Sequence, residues 1–314
     1  MIDQAVRSFF HVLGHSRTLG RAAARYGLRT PTSFARRFVA GETIEDAIAA
    51  ARAVEARGLL QTLDHLGEGV TSVAEADVAT RAYLRIIDAI IHAGIGRNIS
   101  LKLTQLGLAA DRAYAVDNLR RVLDKADGFF VRIDMEGSAY TDVTLDVFEM
   151  LWQQGYRHMG VVLQSDLKRT EQDARRILAL GARIRLVKGA YREPASIAYR
   201  RKADVNRAFE SLIRLVLTEG TSPAIATHDP DMIAATRRFV IAERIPLDRF
   251  EFQMLYGIRR DLQAELAAAG YRVRVYIPFG REWYAYFMRR LAERPANVVF
   301  VLRGVLGERS QAAE

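Results

Sequence analysis

Eight short apolar runs, each followed by a helical pattern, constrain this chain more than any other feature. They fall at residues 59–63, 99–103, 129–133, 160–163, 184–187, 224–226, 250–252 and 273–276. Each has strand length and is built mainly of Val, Ile, Leu and Phe. The segments between them carry helix signals. Ser72-Val73-Ala74-Glu75 has the spacing of a capping box, and Asp229-Pro230-Asp231 places a capping acid before a first-turn proline. Gly155, Gly181 and Gly270 stand where helices end on glycine. Strand and helix alternating eight times predict an α/β fold, a (β/α)8 TIM-like barrel. An open doubly wound sheet is the alternative, because alternation alone does not prove closure. No G-x-G-x-x-G follows the first strand and no G-x-x-x-x-G-K-[ST] occurs, so neither phosphate-loop reading has support.

Residues 1–57 read as an N-terminal helical arm that packs on the barrel, and residues 58–314 as the catalytic barrel with its C-terminal tail. The first 40 residues hold seven arginines and one acid, the composition of a transit peptide, but a packing arm is the preferred reading. The chain has no cysteine, which excludes disulfides and thiolate metal sites and suggests a reducing compartment. No apolar run approaches the ~18–20 residues of a membrane span. A net charge of +9 over 314 residues invites a nucleic-acid or membrane-surface reading. The basic residues are scattered rather than blocked, however, so dedicated nucleic-acid binding is not expected. Only five lysines stand beside 41 arginines. Two of the five, Lys102 and Lys188, are expected inside apolar strands, where a compact ammonium has a reason to be.

In such barrels the chemistry lies at the C-terminal ends of the strands. Those ends carry Asp64-His65, Lys102, Asp134-Met135-Glu136, Gln164, Arg185 with Lys188-Gly189-Ala190-Tyr191, Thr227-His228-Asp229, Gln253 and Tyr276. Burying such a ring of charges unpaired is costly, so the groups need partners, and a charged ligand is one kind. Metal chemistry is poorly supported, since Asp64-His65 is not the H-x-H of a barrel-mouth metal site and no H-E-x-x-H occurs. Nucleophilic triads lack both a cysteine and a G-x-S-x-G elbow.

After the eighth strand a turn at Phe279-Gly280 leads into a helix through residues 281–293. At about 100° per residue, Tyr286, Arg289, Arg290 and Glu293 share one arc, with Met288 on the far side. Two guanidiniums on one face suit a carboxylate or phosphate, whose two oxygens match their fork. A solvated face with an Arg–Glu pair is the plainer reading. The complementary strand-end charges favour the clamp, which places this helix over the strand ends as a lid rather than outside the barrel.

The run Arg274-Val275-Tyr276-Ile277-Pro278-Phe279-Gly280, followed by Tyr286-Phe287-Met288-Arg289-Arg290-Leu291-Ala292-Glu293, resembles the signature of the proline dehydrogenases. Ser100-Leu101-Lys102-Leu103, Ile133-Asp134-Met135-Glu136, Arg185-Leu186-Val187-Lys188-Gly189-Ala190-Tyr191, Ala226-Thr227-His228 and Phe250-Glu251-Phe252-Gln253-Met254-Leu255 also resemble family segments, in family order. The resemblance implies a monofunctional, FAD-dependent barrel enzyme that oxidises L-proline to Δ1-pyrroline-5-carboxylate and passes electrons to a membrane quinone. It implies that Lys102, Arg289 and Arg290 hold the proline carboxylate, that Glu293 orients the arginines, and that Tyr276, Tyr286 and Leu255 wall the pyrrolidine ring. A tyrosine at Tyr276 is the choice associated with proline over 4-hydroxyproline. Asp134 stands at the substrate, either as general base or as countercharge to the basic cluster, and Arg185 lies near the flavin N5. Met135, Gln164, Lys188, Gly189, Ala190, Thr227 and His228 are the implied FAD contacts. Arg192 and Asp229 depart from the aromatic residue and asparagine common at their positions. A cytoplasmic enzyme with peripheral contact to the inner membrane face follows. The alternatives are another FAD barrel, such as one like methylenetetrahydrofolate reductase, and a basic membrane- or nucleic-acid-associated scaffold. The resemblance fixes neither oligomeric state nor quinone.

Overall fold

A computed structural model describes residues 34–293, the side chains of the last three excepted. Eight parallel strands close into a barrel in sequence order: β1 (Leu60–His65), β2 (Asn98–Leu101), β3 (Phe130–Ile133), β4 (Met159–Gln164), β5 (Arg183–Val187), β6 (Ala224–Ala226), β7 (Glu251–Leu255) and β8 (Val273–Phe279). Closure, with β1 paired to β8 from Leu60↔Arg274 through His65↔Phe279, excludes the open sheet. Helix α1 (Ile44–Glu55) precedes the barrel. Helices α2 (Val73–Ala93), α3 (Arg112–Lys125), α4 (Thr141–Gln153), α5 (Thr170–Ala179), α6 (Lys202–Glu219), α7 (Pro230–Ala242), α8 (Arg260–Ala268) and α9 (Trp283–Glu293) follow the strands in turn.

The helix signals act as expected. Ser72 accepts from the Glu75 amide at the start of α2, and Asp229 caps α7 ahead of Pro230. Within the arm, Thr43 and Asp46 form a capping box at α1. Ala47, Ala50, Ala51 and Val54 then bury into the barrel's main core, their small side chains letting α1 lie close to β1 and β8. Residues 1–33 and the tail after Glu293 lie outside the described residues.

Several strand boundaries differ from those expected. Lys102 and Lys188 stand just beyond β2 and β5, not inside them. The ladder needs both ammoniums past its last pairs, where they meet carboxylates at the mouth. Strand β8 runs on to Phe279, because its pairing with β1 continues to His65. Gly280 then makes the turn at φ 120° against the His65 ring, a conformation suited to glycine.

Side-chain alternation divides the sheet. Leu63, Leu101, Val131, Val161, Leu186, Ile225, Phe252 and Val275 face out into the core shared with the helices. Each such side chain is worth about 1.5–3 kcal/mol when buried. The alternate residues face the lumen, as bonds between non-neighbouring strands require. At its lower end Arg274 forks onto Glu251 (2.7 and 2.9 Å) and donates to the Gln61 carbonyl (2.7 Å). Arg132 crosses from β3 to the Arg183 carbonyl on β5 (2.7 Å) and lies over the Phe130 ring. Most barrels of this type fill the lumen with branched apolar residues; here much of it is polar.

Gly160 makes room for that crossing. A Cβ there would lie 2.6 Å from Arg132 Nη1, 2.6 Å from the Arg183 carbonyl and 2.7 Å from the Phe130 ring. We expect Gly160→Ala to destabilise the protein by about 2 kcal/mol through overpacking, read as a lowered midpoint in thermal or urea denaturation.

Candidate active site

The strand-end groups converge on one cavity of about 1390 Å³ at the C-terminal mouth. Its centre is Asp134. Arg185 Nη1 donates to Asp134 Oδ1 at 2.6 Å and the Tyr276 hydroxyl donates to Oδ2 at 2.9 Å. Lys102 Nζ lies 3.9 Å from the same Oδ2 and 3.3 Å from Asp64 Oδ1. Arg185 Nη2 donates to Ser100 Oγ at 2.9 Å, and its guanidinium stands 5.4 Å from the Tyr276 ring centroid. Five strands or strand ends thus meet around two carboxylates and two cations.

The protonation states follow from these contacts. Burial works against the Lys102 ammonium, but Asp64 and Asp134 outweigh it and hold its pKa above the usual lysine value. Burial raises Asp64, with Lys102 opposing and Asp134 adding to the rise. Burial, then Asp134 and Asp64, push the Tyr276 phenol far above its normal range, so it stays a donor. His228 Nε2 accepts the Leu255 amide at 2.8 Å. That ring nitrogen therefore carries no proton, and Nδ1 holds the N–H.

Of the expected substrate residues, Lys102, Leu255, Tyr276, Tyr286, Arg289 and Arg290 all line the cavity. The Glu293 side chain lies outside the described residues. Helix α9 brings its polar arc over the strand ends as anticipated, but Tyr286 also belongs to its docking side. It is buried with Ala35, Phe38, Val39, Leu66 and Trp283, and Arg290 lies over its ring at 5.2 Å. Arg289 donates to Glu68 at 2.7 Å, joining the lid to the β1–α2 loop.

The expected cofactor residues Met135, Gln164, Lys188, Gly189, Ala190, Thr227 and His228 share that cavity. Lys188 Nζ donates to Asn206 (2.6 Å) and Asp229 (2.5 Å). Thr227 Oγ1 accepts the Asp229 amide. Two buried polar atoms in the cavity wall, Arg185 Nε and Gln164 Oε1, have no hydrogen-bond partner among the described residues.

Five contributors had no foreseen role. Glu68 carried a readable hint, a lone acid between Gly67 and Gly69 just past a strand. Asp64 was visible as a strand end but had no assigned partner. Arg36 and Arg37 reach the cavity from the arm, which no local pattern signals. Gly257, at φ 73°, lets the β7–α8 loop pack against the Arg37 carbonyl, which a Cβ would meet at 1.5 Å.

Fold and site together define a (β/α)8 enzyme with a cationic, carboxylate-balanced mouth. The family model for proline dehydrogenase matches residues 47–303, and the chain belongs to the proline dehydrogenase family. It is 43% identical over 303 residues to Proline dehydrogenase 1 of Bacillus subtilis, covering 96% of this chain and 99% of that one. It is 47% identical over 280 residues to Proline dehydrogenase of Deinococcus radiodurans, covering 87% and 90%. A crystal structure of proline utilization A from Bdellovibrio bacteriovorus inactivated by N-propargylglycine superposes with a TM-score of 0.78 at 25% identity, over 88% of this chain. This chain spans about a third of that longer protein, 34% of its length. The reductase-like and scaffold alternatives give way to this membership, and the protein is an oxidoreductase.

Behind the Lys188–Gly189 shelf sits Asp166. Its amide donates to the Lys188 carbonyl (2.8 Å), and its Oδ1 is buried without a hydrogen-bond partner. Burial, then Glu193, raise its pKa from 3.8 to about 6. An acid with a raised folded pKa costs stability once ionised, so the cost is present above about pH 6 and fades toward pH 4. Asp166→Asn should melt higher than the parent at pH 7.5, with the advantage shrinking between pH 6 and 4. Melting curves across that range check it.

Proposed function

We propose that this proline dehydrogenase uses FAD, converts L-proline to Δ1-pyrroline-5-carboxylate, and hands its electrons to a membrane quinone. The observation that carries the reading is the coincidence, in one cavity, of a carboxylate-sized cation cluster with orphaned buried groups suited to a flavin. Arg185 Nε is a donor and Gln164 Oε1 an acceptor, complementary to the N5 and N3–H edges of an isoalloxazine ring. The cavity exceeds the ~300–1,000 Å³ of ordinary ligand pockets, consistent with a dinucleotide beside a small substrate.

When bound, FAD supplies the acceptor for the hydride that leaves proline C5. The residues do the rest. Lys102, Arg289 and Arg290 hold the carboxylate from several directions, which fixes the ring and removes the orientational entropy of the reaction. Tyr276, Tyr286 and Leu255 wall the ring, with Tyr276 crowding the carbon where 4-hydroxyproline carries its hydroxyl. Asp134 already accepts from Arg185 and Tyr276, which favours the countercharge role over that of general base. Arg185, held by Asp134 and Ser100, would present a fixed donor and positive charge at the N5 edge, where the hydride is accepted. Met135, Lys188, Gly189, Ala190, Thr227 and His228 would complete the flavin's cradle. The described part of the N-terminal arm, residues 34–57, serves as a packing element on the barrel that begins at residue 58.

Among the described residues no helix is long and apolar enough to cross a membrane. A cytoplasmic protein touching the inner membrane face through its basic surface is the matching arrangement, with no nucleic acid involved.

Purified protein should be yellow and should bleach on adding L-proline without oxygen; colourless protein that takes up no FAD sinks the reading. Arg289→Met and Arg290→Met should each raise KM for proline at least ~10-fold, as loss of a charge-assisted bond implies. Flavin content should stay at the parent level, and its parallel loss would count against the carboxylate role.

A further inference from the structure

The acid that meets Arg289 sits on a loop with few ties of its own. Leu66 N–H donates to the Phe279 carbonyl at 2.8 Å where the β1–α2 loop begins. Just past Glu68, both loop amides go to a single residue. Gly69 N–H donates to the Thr104 hydroxyl oxygen at 2.8 Å, and Val70 N–H to the Thr104 carbonyl at 3.2 Å. Gly69 holds φ 66°, a left-handed conformation that turns its amide inward.

Thr104 is fixed in turn by Glu136. Its backbone N–H donates to Glu136 Oε1 at 3.1 Å and its hydroxyl donates to Oε2. Both residues are buried, at 1% and 5% exposure. The hydroxyl spends its one proton on Glu136 and a lone pair on Gly69, so the three groups form a directional chain.

The spacing links this chain to the site. Thr104 lies two residues beyond Lys102, and Glu136 two beyond Asp134. The β2 and β3 ends are therefore joined twice. The inner pair, Lys102–Asp134, lines the cavity; the outer pair, Thr104–Glu136, grips the loop carrying Glu68. The strand ends that build the carboxylate pocket also set the height of the loop that meets the lid.

We propose that Thr104 and Glu136 are positioning residues that hold the β1–α2 loop where Glu68 engages Arg289, and so govern retention of the substrate carboxylate. The inference rests on the reading of Arg289 as a carboxylate ligand.

Two measurements test it. Hydrogen exchange of the peptide covering residues 66–72, in the full-length holoprotein without substrate, should quicken in Thr104→Val and stay near parental in Thr104→Ser. Steady-state kinetics with L-proline and a dye acceptor should show KM raised about fivefold in Thr104→Val, the scale of a lost hydrogen bond. The kcat value should stay within about twofold of the parent, Thr104→Ser should restore KM, and the KM effect should vanish in a Glu68→Ala background. Glu136→Gln provides the second arm if Thr104→Val does not fold, with the same sign and the same dependence on Glu68. Unchanged exchange overturns the anchor whatever the substrate. Faster exchange with unmoved KM, or an equal KM rise with and without Glu68, overturns the positioning role. A parent protein that ignores proline while the variant's exchange still quickens removes the substrate reading, and the retention role with it, but leaves the loop anchor.

Discussion

The barrel mouth depends on one half-buried carboxylate. Asp134 draws Arg185 from β5, the Tyr276 hydroxyl from β8 and Lys102 from the β2 end, none of them a sequence neighbour. Moving an isolated charge into such a place costs several kcal/mol. The cost is tolerable because charges balance locally, with Asp64 and Asp134 facing Lys102 and Arg185. Net neutrality has a consequence for binding. Under the proposed reading, a substrate carboxylate would find the Lys102 charge already answered by Asp64 and Asp134 and would need the guanidiniums of α9 as well.

The same logic continues downward. Glu251 holds its carboxyl below the usual range despite burial, because Arg274, Gln253 and Arg132 surround it. An anionic Glu251 can only accept, so Gln253 must give it an N–H (2.5 Å), which turns the amide oxygen away from that carboxylate. Burial and the nearby Arg185 pull Arg132 below its ordinary value, with Glu251 opposing them. Stability comes mainly from the apolar layer between strands and helices, which leaves the lumen free to carry charge and position it.

What was legible in the sequence was whatever has a local period. Apolar runs marked the strands because their outward faces must meet helices, and the strand ends then pointed to Lys102, Asp134, Arg185 and Tyr276. The arc on α9 was readable for the same reason. Pairings across long separations were not. Arg289 and Glu68 are 221 residues apart, and nothing in either neighbourhood specifies the other. Boundaries failed where pairing overrides composition: β8 continues through Pro278 because β1 lies beside it, and β2 stops before Lys102 because the chain must turn there. Tyr286 counted as polar on the wheel, yet its ring is mostly buried, since a phenol carries apolar body and polar tip together.

Helix α9 is held differently from the other eight helices described. Its docking residues pack into a small cluster of Ala35, Phe38, Val39, Leu66, Trp283 and Tyr286, set apart from the main core. The Trp283 indole N–H donates to Glu42 at 3.1 Å, so the segment ahead of α1 is the lid's floor. That segment also sends Arg36 and Arg37 to the cavity wall. The arm beyond Phe34 therefore belongs to the site as much as to the packing. The two lid arginines are held unequally. Arg289 is tied to a surface loop through an ion pair that is partly exposed, 29% and 34% at the side chains, and such pairs are weak and screened by salt. Arg290 lies over a buried ring. That asymmetry leaves the Arg289 side of the lid open to solvent and salt, while the Arg290 side rests on the cluster that docks the helix.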